Sequence, residues 1–266
     1  MTAVERLGAY SLITALDAGG PPDPRPGQFY MLAAAERWGG GADERPYLPR
    51  AFSHARAREG RLSFLLEAVG PGTERLAELR EGAGLHLVGP LGVGWRPPEP
   101  DTRPVLVGGG IGAAPLLCLQ DELRAPAGAL GVAPPGNAVA LLLGFRSAAH
   151  AQSAALFAGE VALATDDGSV GHRGLVTDLL EEELDHDSAA TVFACGPPAM
   201  LEAVRALCAR RGVPAQLALE SGMACGFGAC FGCVVPTKAG YVRLCVDGPV
   251  IDADALESAL FPGAGH

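Results

Sequence analysis

The sequence predicts three consecutive units: an N-terminal antiparallel β-barrel, an α/β domain built on a doubly wound parallel sheet, and a small Cys-rich module. Three observations support this division. Short extended runs broken by Gly and Pro fill about the first hundred residues. Strand-like and helix-like runs then alternate, and four of the seven cysteines cluster near the C-terminus. We expect the units to span residues 1–98, 99–218 and 219–266.

The first unit contains short extended runs at a spacing that is typical of an antiparallel barrel or sandwich. These runs are Tyr10–Ala15, Gln28–Ala33, Arg50–Ala55, Leu62–Ala68 and Leu85–Val88. A helix is predicted over Thr73–Arg80, with Leu76 and Leu79 on one face. The stretch Glu36–Pro49 is rich in Gly, Arg and Pro, which predicts a mobile loop. The sequence indicates no role for that loop.

The second unit begins after a linker over Arg96–Pro104 that is dense in Pro and charge. The predicted strands are Pro104–Val107, Val139–Gly144, Val161–Ala164 and Thr191–Ala194. The predicted helices are Ala113–Leu123, Val176–Leu184 and Ala199–Arg210. Alternation of this kind is the signature of a parallel, doubly wound sheet. From about Glu220 the chain is rich in Gly and Cys and has little periodicity, so we expect a ligand or a partner to hold it.

Composition narrows the classes of function. The 266 residues are 48% hydrophobic and carry a net charge of -10, which argues against nucleic acid or an anionic membrane surface as a partner. No apolar run approaches the about 18 residues of a membrane span, and the N-terminus lacks a basic start that leads into an apolar run. We therefore expect a cytoplasmic enzyme, in which an odd number of cysteines makes a disulfide framework improbable.

The cysteine cluster carries the most specific chemical signal. Its spacing, Cys225-x4-Cys230-x2-Cys233 followed by Cys245, matches the plant-type arrangement that holds a [2Fe–2S] cluster through four thiolates. Glycines among these residues allow tight wrapping of the backbone, and their N–H groups can donate to sulfur. These glycines are Gly222, Gly226, Gly228 and Gly232.

A structural zinc site with four thiolate ligands is the alternative interpretation. Zinc ribbons favour two C-x2-C pairs, whereas this segment contains one. The cysteines Cys118 and Cys208 fall in predicted helices, and we expect them to pack in the core rather than bind metal.

A glycine-rich turn marks the second unit. Gly108-Gly109-Gly110-Ile111-Gly112 follows a predicted strand and opens a helix, where backbone N–H groups can meet a pyrophosphate. The motif is not the strict G-x-G-x-x-G, and a packing turn is the alternative. A second turn, Cys195-Gly196-Pro197, follows a later strand. Because ligands of open α/β sheets bind beyond the carboxyl ends of the strands, both turns should face one crevice.

Two stretches of the first unit are candidate phosphate sites. Arg50-Ala51-Phe52-Ser53 lies in a predicted strand, where an Arg and a hydroxyl three residues apart could bind a phosphate and a flavin edge. A surface position without function is the alternative. Gly70-Pro71-Gly72-Thr73 precedes a helix and could cradle a phosphate, although Thr73 is equally well explained as an N-cap.

In their order along the chain, these motifs resemble the ferredoxin-reductase superfamily. The matching stretches are Pro26–Phe29, Arg50–Ser53, Gly70–Thr73, Gly89–Gly92, Val107–Gly112 and Cys195–Pro197. Within that superfamily, the chain resembles the electron-transfer subunits of two-subunit, NAD-dependent dihydroorotate dehydrogenases. The stretches that carry this closer resemblance are Thr165–Ser169, Gly174–Thr177, Glu220–Cys233 and Cys245–Pro249.

The resemblance implies a FAD-binding barrel, an NAD-binding domain and a [2Fe–2S] module. It gives FAD-binding roles to Arg50, Ala51, Phe52, Ser53, Leu65, Leu66, Glu67, Gly72 and Thr73. The glycine-rich and cysteine-containing turns would bind NAD through Gly108, Gly109, Gly110, Gly112, Cys195, Gly196 and Pro197. The family usually has Pro at position 51, and the loop over residues 36–49 is longer than expected. No catalytic acid or base is implied, because the cofactors supply the chemistry.

The resemblance also implies an electron route that belongs to pyrimidine biosynthesis. Dihydroorotate would be oxidised on FMN in a separate catalytic subunit, and electrons would pass through the cluster to FAD and then to NAD⁺. Two copies of each subunit would form a heterotetramer. The alternatives are a related reductase subunit that serves a hydrogenase, sulfide or ferredoxin partner, and a zinc-stapled binding module. The family prefers NAD, although Arg146 and Ser147 follow a predicted strand where a 2′-phosphate could bind.

Overall fold

The structure is a computed structural model that describes residues 1–17, 19–20, 24–39, 46–125 and 139–264. Two antiparallel sheets form the N-terminal part. One has the order β1-β2-β6-β5 and the other the order β4-β3-β7. The strands are β1 (Ala3–Leu7), β2 (Tyr10–Leu16), β3 (Phe29–Ala34), β4 (Arg50–Ser53), β5 (Arg56–Arg58), β6 (Arg61–Glu67) and β7 (Leu85–Leu91).

The two sheets share one apolar core. Ile13 from β2, Leu32 from β3 and Phe64 from β6 are fully buried in it. Helix α1 (Pro71–Ala77) closes the core with Leu76. The five predicted strands are confirmed as strands with shifted ends, whereas β1 and β5 were not predicted because short exposed runs have no clear alternation.

The predicted helix over Thr73–Arg80 forms, but it begins and ends earlier. Proline occupies the first turn of α1, where its fixed backbone angle and missing N–H are tolerated. The helix ends at Ala77, and Leu79 packs in the core beyond it. Of the predicted loop over residues 36–49, residues 40–45 lie outside the described residues, and the others belong to no helix or strand.

A seven-stranded sheet with the order β11-β10-β9-β8-β12-β13-β16 forms the second part. Its strands are β8 (Arg103–Gly109), β9 (Ala140–Phe145), β10 (Ala162–Thr165), β11 (His172–Arg173), β12 (Ala190–Cys195), β13 (Ala215–Ala218) and β16 (Val250–Asp252). All pair in parallel except β13 with β16. The helices are α2 (Ala113–Arg124), α3 (Ala148–Ala151), α4 (Val176–His186) and α5 (Pro198–Arg211).

Helices cover both faces of this sheet, as a doubly wound fold requires. Helices α4 and α5 pack in one apolar cluster, and α2 packs in the cluster on the other face. The predicted linker is shorter than expected, because Arg103 and Pro104 already pair with β12. None of the helices within the described ranges is both long and apolar enough to cross a lipid bilayer.

The C-terminal segment returns to the sheet, which its sequence did not predict. A hairpin of β14 (Val234–Thr237) and β15 (Gly240–Arg243) precedes β16, and β16 adds an antiparallel edge to β13. Only Val250 and Ile251 are apolar and buried in this three-residue strand, so periodicity could not reveal it. The cysteine-rich residues therefore lie between two anchors, β13 before them and β16 after them.

Candidate functional site

A cavity of about 1120 Å³ lies between the N-terminal sheets and the carboxyl ends of strands β8, β9, β10 and β12. All but three of the residues that the sequence predicted for FAD or NAD line it. These are Arg50, Ala51, Phe52, Ser53, Leu65, Glu67, Thr73, Gly109, Gly110, Gly112, Cys195, Gly196 and Pro197. Leu66, Gly72 and Gly108 are buried outside this lining, and Leu66 packs in the core that the two N-terminal sheets share.

The two turns that follow strands β8 and β12 touch each other at the cavity wall. Strands β8 and β12 are neighbours, with Cys195 paired to Gly108. A Cβ on Gly112 would lie 2.3 Å from the carbonyl oxygen of Cys195, and one on Gly109 would lie 2.5 Å from Sδ of Met200. Only glycine permits this approach. The prediction that both turns face one crevice is confirmed.

Two side chains in the wall beside these turns stay protonated near neutral pH. Burial, with the nearby Glu220 carboxylate, raises the pKa of the Cys195 thiol to about 12. Burial, with the nearby Glu67 carboxylate, also raises the pKa of the Tyr10 hydroxyl above its usual value of 10.0. Neither group can act as a general base near neutral pH.

Arg50 lies over the start of helix α1. A Cβ on Gly72 would come within 2.6 Å of Nε of Arg50, so glycine at position 72 makes room for the guanidinium. Arg50 donates through Nη1 to the carbonyl oxygen of Leu48 at 2.6 Å. The hydroxyl of Thr73 accepts from the N–H of Val69 at 2.9 Å and donates to the carbonyl oxygen of Gly70 at 3.1 Å. The guanidinium and this ordered turn form a cradle that suits a phosphate group.

A charged network connects the two domains at the cavity. The Arg146 guanidinium, which follows β9, pairs with the Glu67 carboxylate at the end of β6. His150 lies 3.4 Å from Glu67 and 3.0 Å from Arg146, measured from Nε2. Asp166, which follows β10, also lines the cavity. Arg146 is therefore already paired with a carboxylate.

Sequence reasoning missed several lining residues. Tyr10 and Phe29 come from predicted strands and were given no role in a site, and Ser221–Ala224 precede the first cluster cysteine. Asp166 and the stretch Gly174–Thr177 belong to motifs that carried the family resemblance, but no role was given to them. Their place after β10 and before α4 was the available signal, because strand ends converge on one crevice.

The four clustered cysteines meet two by two. The Cys230 thiol acts on the pKa of Cys225, and the Cys233 thiol acts on that of Cys245, so each thiol lies near its partner. Within the described residues no group of three or more His, Cys, Asp or Glu side chains is arranged to hold a single metal ion. Two thiol pairs fit a centre of two iron ions, each of which takes two thiolates.

Backbone N–H groups of the cysteine loop point at the sulfurs. Desolvation raises the pKa of Cys225, but N–H donors from Cys230, Phe227 and Ala229 outweigh it and lower that pKa to about 6. The N–H of Gly232 lies 3.4 Å from Sγ of Cys230. Such donors stabilise thiolates and tune a cluster. The loop has left-handed backbone at Gly226 and Gly228, as glycine allows, but not at Gly222 or Gly232.

Burial differs between the two thiol pairs. Cys233 and Cys245 are buried, Cys225 is half-buried and Cys230 is exposed. One side of the cysteine site therefore opens to solvent. Cys118 and Cys208 are buried in α2 and α5, as predicted for packing residues.

Residues 220–257 match the family model described as the iron-sulfur cluster binding domain of dihydroorotate dehydrogenase B. The chain is 36% identical over 237 residues to the "Dihydroorotate dehydrogenase B (NAD(+)), electron transfer subunit" of Clostridium acetobutylicum, covering 88% of this chain and 87% of that protein. It is 38% identical over 236 residues to the protein of the same name from Geobacillus thermodenitrificans, covering 86% and 85%.

Solved structures agree on the fold. A structure of the NADH-dependent reduced ferredoxin-NADP oxidoreductase aligns with a TM-score of 0.77 and 25% identity, over 97% of this chain and 88% of the other. A ferredoxin reductase in carbazole 1,9a-dioxygenase aligns with a TM-score of 0.65 over 80% of this chain and 64% of the other. With relatives this similar over most of its length, the chain belongs to the family of electron transfer subunits of NAD(+)-dependent dihydroorotate dehydrogenase B.

Proposed function

We propose that this chain passes electrons from a dihydroorotate-oxidising, FMN-containing partner subunit through a [2Fe–2S] cluster and FAD to NAD⁺. One observation carries the proposal: the cysteine site adjoins the cavity. Residues Ser221–Ala224 line the cavity, and Cys225 follows directly in the chain. Gly226 also packs on Met31 of β3, the strand whose first residue, Phe29, lines the cavity. A cluster and a flavin bound at these sites would be close neighbours.

In this proposal the flavin and its phosphates bind on the N-terminal side of the cavity. Arg50 and Thr73 would hold the diphosphate, with Gly72 giving the guanidinium its room. The rings of the flavin would be lined by two strands: by Ala51, Phe52 and Ser53 of β4, and by Leu65 and Glu67 of β6. Leu66 would pack in the core behind β6 and support that strand. We propose a closed FAD-binding barrel over residues 1–98, an NAD-binding domain over 99–218 and a cluster module over 219–266.

The cofactors would supply the redox chemistry, with the flavin converting between one-electron and two-electron transfer. The side chains of this chain bind and orient these groups. Gly109, Gly110 and Gly112 would let the NAD pyrophosphate approach the backbone, with Gly108 packed beneath them. The turn Cys195–Pro197 would form the wall of the crevice on the side where the nicotinamide binds. A protonated Cys195 adds no charge there and is not a nucleophilic thiolate.

The preference for NAD over NADP has support from two carboxylates. The guanidinium of Arg146, a candidate for binding a 2′-phosphate, is paired with Glu67. The carboxylate of Asp166 lines the same cavity and would repel a 2′-phosphate.

The partner subunit would dock beside the exposed cysteines. Phe227 and Phe231 lie in the cysteine loop, and each exposes 63% of its surface. Exposed aromatic groups of this kind mark interaction sites, and electron transfer requires the partner's flavin to lie near the cluster. We propose a heterotetramer with two copies of each subunit.

Metal and activity measurements on the purified chain test the proposed function. Anaerobically prepared protein should contain iron and acid-labile sulfide at about two each per chain, together with FAD. Adding the partner should give dihydroorotate-dependent reduction of NAD⁺. Stoichiometric zinc without sulfide would contradict the proposal, as would a partner that restores only hydrogenase, sulfide or ferredoxin activity.

A further inference from the structure

Arg243 lies at the end of β15, between the two segments that carry the cluster cysteines. Its Nη1 donates to the carbonyl oxygen of Gly228 at 3.2 Å, and its guanidinium carbon lies 5.3 Å from the centre of the Phe231 ring. Its backbone N–H donates to Oδ2 of Asp247 at 2.8 Å, in the turn that contains Cys245. Arg243 therefore links the loop over residues 225–233, through its side chain, to the turn that carries the fourth cysteine, through its backbone.

Within this loop, the Phe231 ring depends on Arg243 for its position. Phe231 has a backbone φ of 58°, in the left-handed region that residues with a Cβ rarely adopt, and its side chain is mostly exposed. Because the core does not hold this ring, the contact with Arg243 is the ring contact that stabilises it. Gly228 fits tightly beside the same guanidinium, since a Cβ there would lie 3.2 Å from Nη1 of Arg243.

The positive charge of Arg243 also affects the reduction potential of a cluster bound at this site. A [2Fe–2S] centre with four thiolates is anionic and gains one further negative charge on reduction. A cation near it favours the reduced form, and the Asp247 carboxylate, 3.9 Å from Nε of Arg243, acts against this effect. Lys238, the other cation of this hairpin, lies at its tip and donates to the carbonyl oxygen of Asp254 at 2.7 Å. The hairpin separates the two cations by several residue pairs.

We infer that Arg243 is a positioning residue that holds the cysteine loop against the Cys245 turn. Its positive charge also raises the reduction potential of the cluster. The inference rests on the proposed [2Fe–2S] function. It concerns a residue that contacts the cysteine loop and supplies no ligand to the irons.

The test uses the purified, cluster-loaded full chain and two readouts other than turnover. Redox titration followed by electron paramagnetic resonance gives the potential, and transfer of iron to a chelator gives the rate of cluster loss. In Arg243→Gln the ratio of oxidised to reduced cluster at a fixed potential should rise about tenfold, which is ~59 mV for one electron. Arg243→Lys should keep most of the potential but lose iron several-fold faster, because a compact ammonium group cannot reproduce the contacts of the guanidinium with both the Gly228 carbonyl oxygen and the Phe231 ring.

Lys238→Gln is the matched control, since it removes one positive charge from the same hairpin and should leave both readouts unchanged. Phe231→Leu keeps the charge and removes the ring, so it should speed iron loss without moving the potential. This variant also serves if Arg243→Gln fails to load the cluster. The inference is overturned by a wild-type potential in Arg243→Gln, by an equal shift in Lys238→Gln, or by wild-type iron loss in both Arg243→Lys and Phe231→Leu. A wild-type chain without iron and sulfide would instead overturn the proposed function itself.

Discussion

Among individual residues, the buried pair of His54 and Cys118 connects the N-terminal sheets to helix α2. The imidazole Nε2 lies 3.2 Å from Sγ of Cys118, and Nδ1 lies 3.1 Å from the carbonyl oxygen of Gln28. Burial lowers the pKa of His54 to about 4 and raises that of Cys118 to about 12. Both groups are therefore neutral near pH 7, and the contact spans the boundary between the two domains.

This pair predicts a pH dependence of stability. The pKa of His54 is about 4 in the folded chain against 6.5 for an unperturbed His, so the unfolded chain binds more protons between these values. Stability should fall by about 1 kcal/mol between pH 7.5 and 5.5 on account of this group alone. His54→Gln should lose that part of the dependence in thermal unfolding, while His186→Gln, at an exposed position of α4, should keep it. Parallel wild-type and His54→Gln curves would contradict the assignment.

The cysteines give a second prediction about single residues. Cys230→Ser should abolish the visible spectrum of the cluster and lower iron content to near background, because an alkoxide is a poor substitute for thiolate as an iron ligand. Cys118→Ser and Cys208→Ser should retain the cluster, since both thiols are buried in helices outside the cysteine loop. Absorption spectra and iron analysis of the three variants decide this. Full iron content in Cys230→Ser would exclude that thiol as a ligand.

Among the helices, strands and turns, the glycine-rich turn has a geometry that tightly constrains substitution. It opens helix α2 and packs against the Cys195 turn so closely that a Cβ on Gly112 would collide with backbone. A collision with backbone cannot be relieved by rotating a side chain. The contact between the two turns therefore depends on glycine at position 112.

Gly112→Ala should consequently reduce NADH-dependent dye reduction at least tenfold while the FAD content stays near that of the wild type. The N-terminal side of the cavity, which we propose binds the flavin, is not changed by this substitution. Gly19→Ala is the control, because a Cβ there meets nothing within 4 Å, and it should be silent. Steady-state kinetics with NADH and flavin quantification measure both effects. An unchanged NADH rate would show that the close contact is not required.

The helices and strands differ in how well the sequence predicted them. Long apolar runs were the best predicted: α2 was predicted to within one residue, and β8 by its central residues Pro104–Val107, because burial on both sides leaves an unbroken pattern. The strands β11 and β16, of two and three residues, owe their pairing to neighbours that are distant in sequence, so no local pattern could predict them. Local spacing predicted the cysteines and glycine turns, whereas Tyr10 and Asp166 join the cavity only through the tertiary fold.

For the whole molecule, the fold places the cavity and the cysteine site next to each other in one continuous region. The cavity lies between the N-terminal sheets and the parallel sheet, and the segment from Leu219 to Ala224 runs along it into the cysteine loop. Strands β13 and β16 fix both ends of the C-terminal segment to the sheet. The cysteine site is thereby held at the cavity on one side, while Cys230 and the two loop phenylalanines face solvent on the other.

This arrangement predicts that the chain carries out the reaction with NAD(H), and that oxidation of dihydroorotate requires the partner subunit. The lining of the cavity suits a dinucleotide and a flavin, and Tyr10 and Cys195 in its wall stay protonated near neutral pH. The purified chain should therefore reduce dyes with NADH but leave dihydroorotate unchanged. Addition of the FMN-containing partner should then give NAD⁺ reduction that depends on dihydroorotate. Turnover of dihydroorotate by the chain alone would contradict this division.

A charge at the exposed side of the cysteine loop should separate the two activities. Phe227→Asp places a carboxylate where we propose that the partner docks, and burying that carboxylate on docking is unfavourable. Dihydroorotate-dependent NAD⁺ reduction should fall at least tenfold, while NADH-dependent dye reduction stays within twofold of the wild type. Leu16→Asp, at an exposed position at the end of β2, is the matched control and should change neither rate. Equal loss of both activities in Phe227→Asp would mean that the loop, and not the docking face, had been damaged.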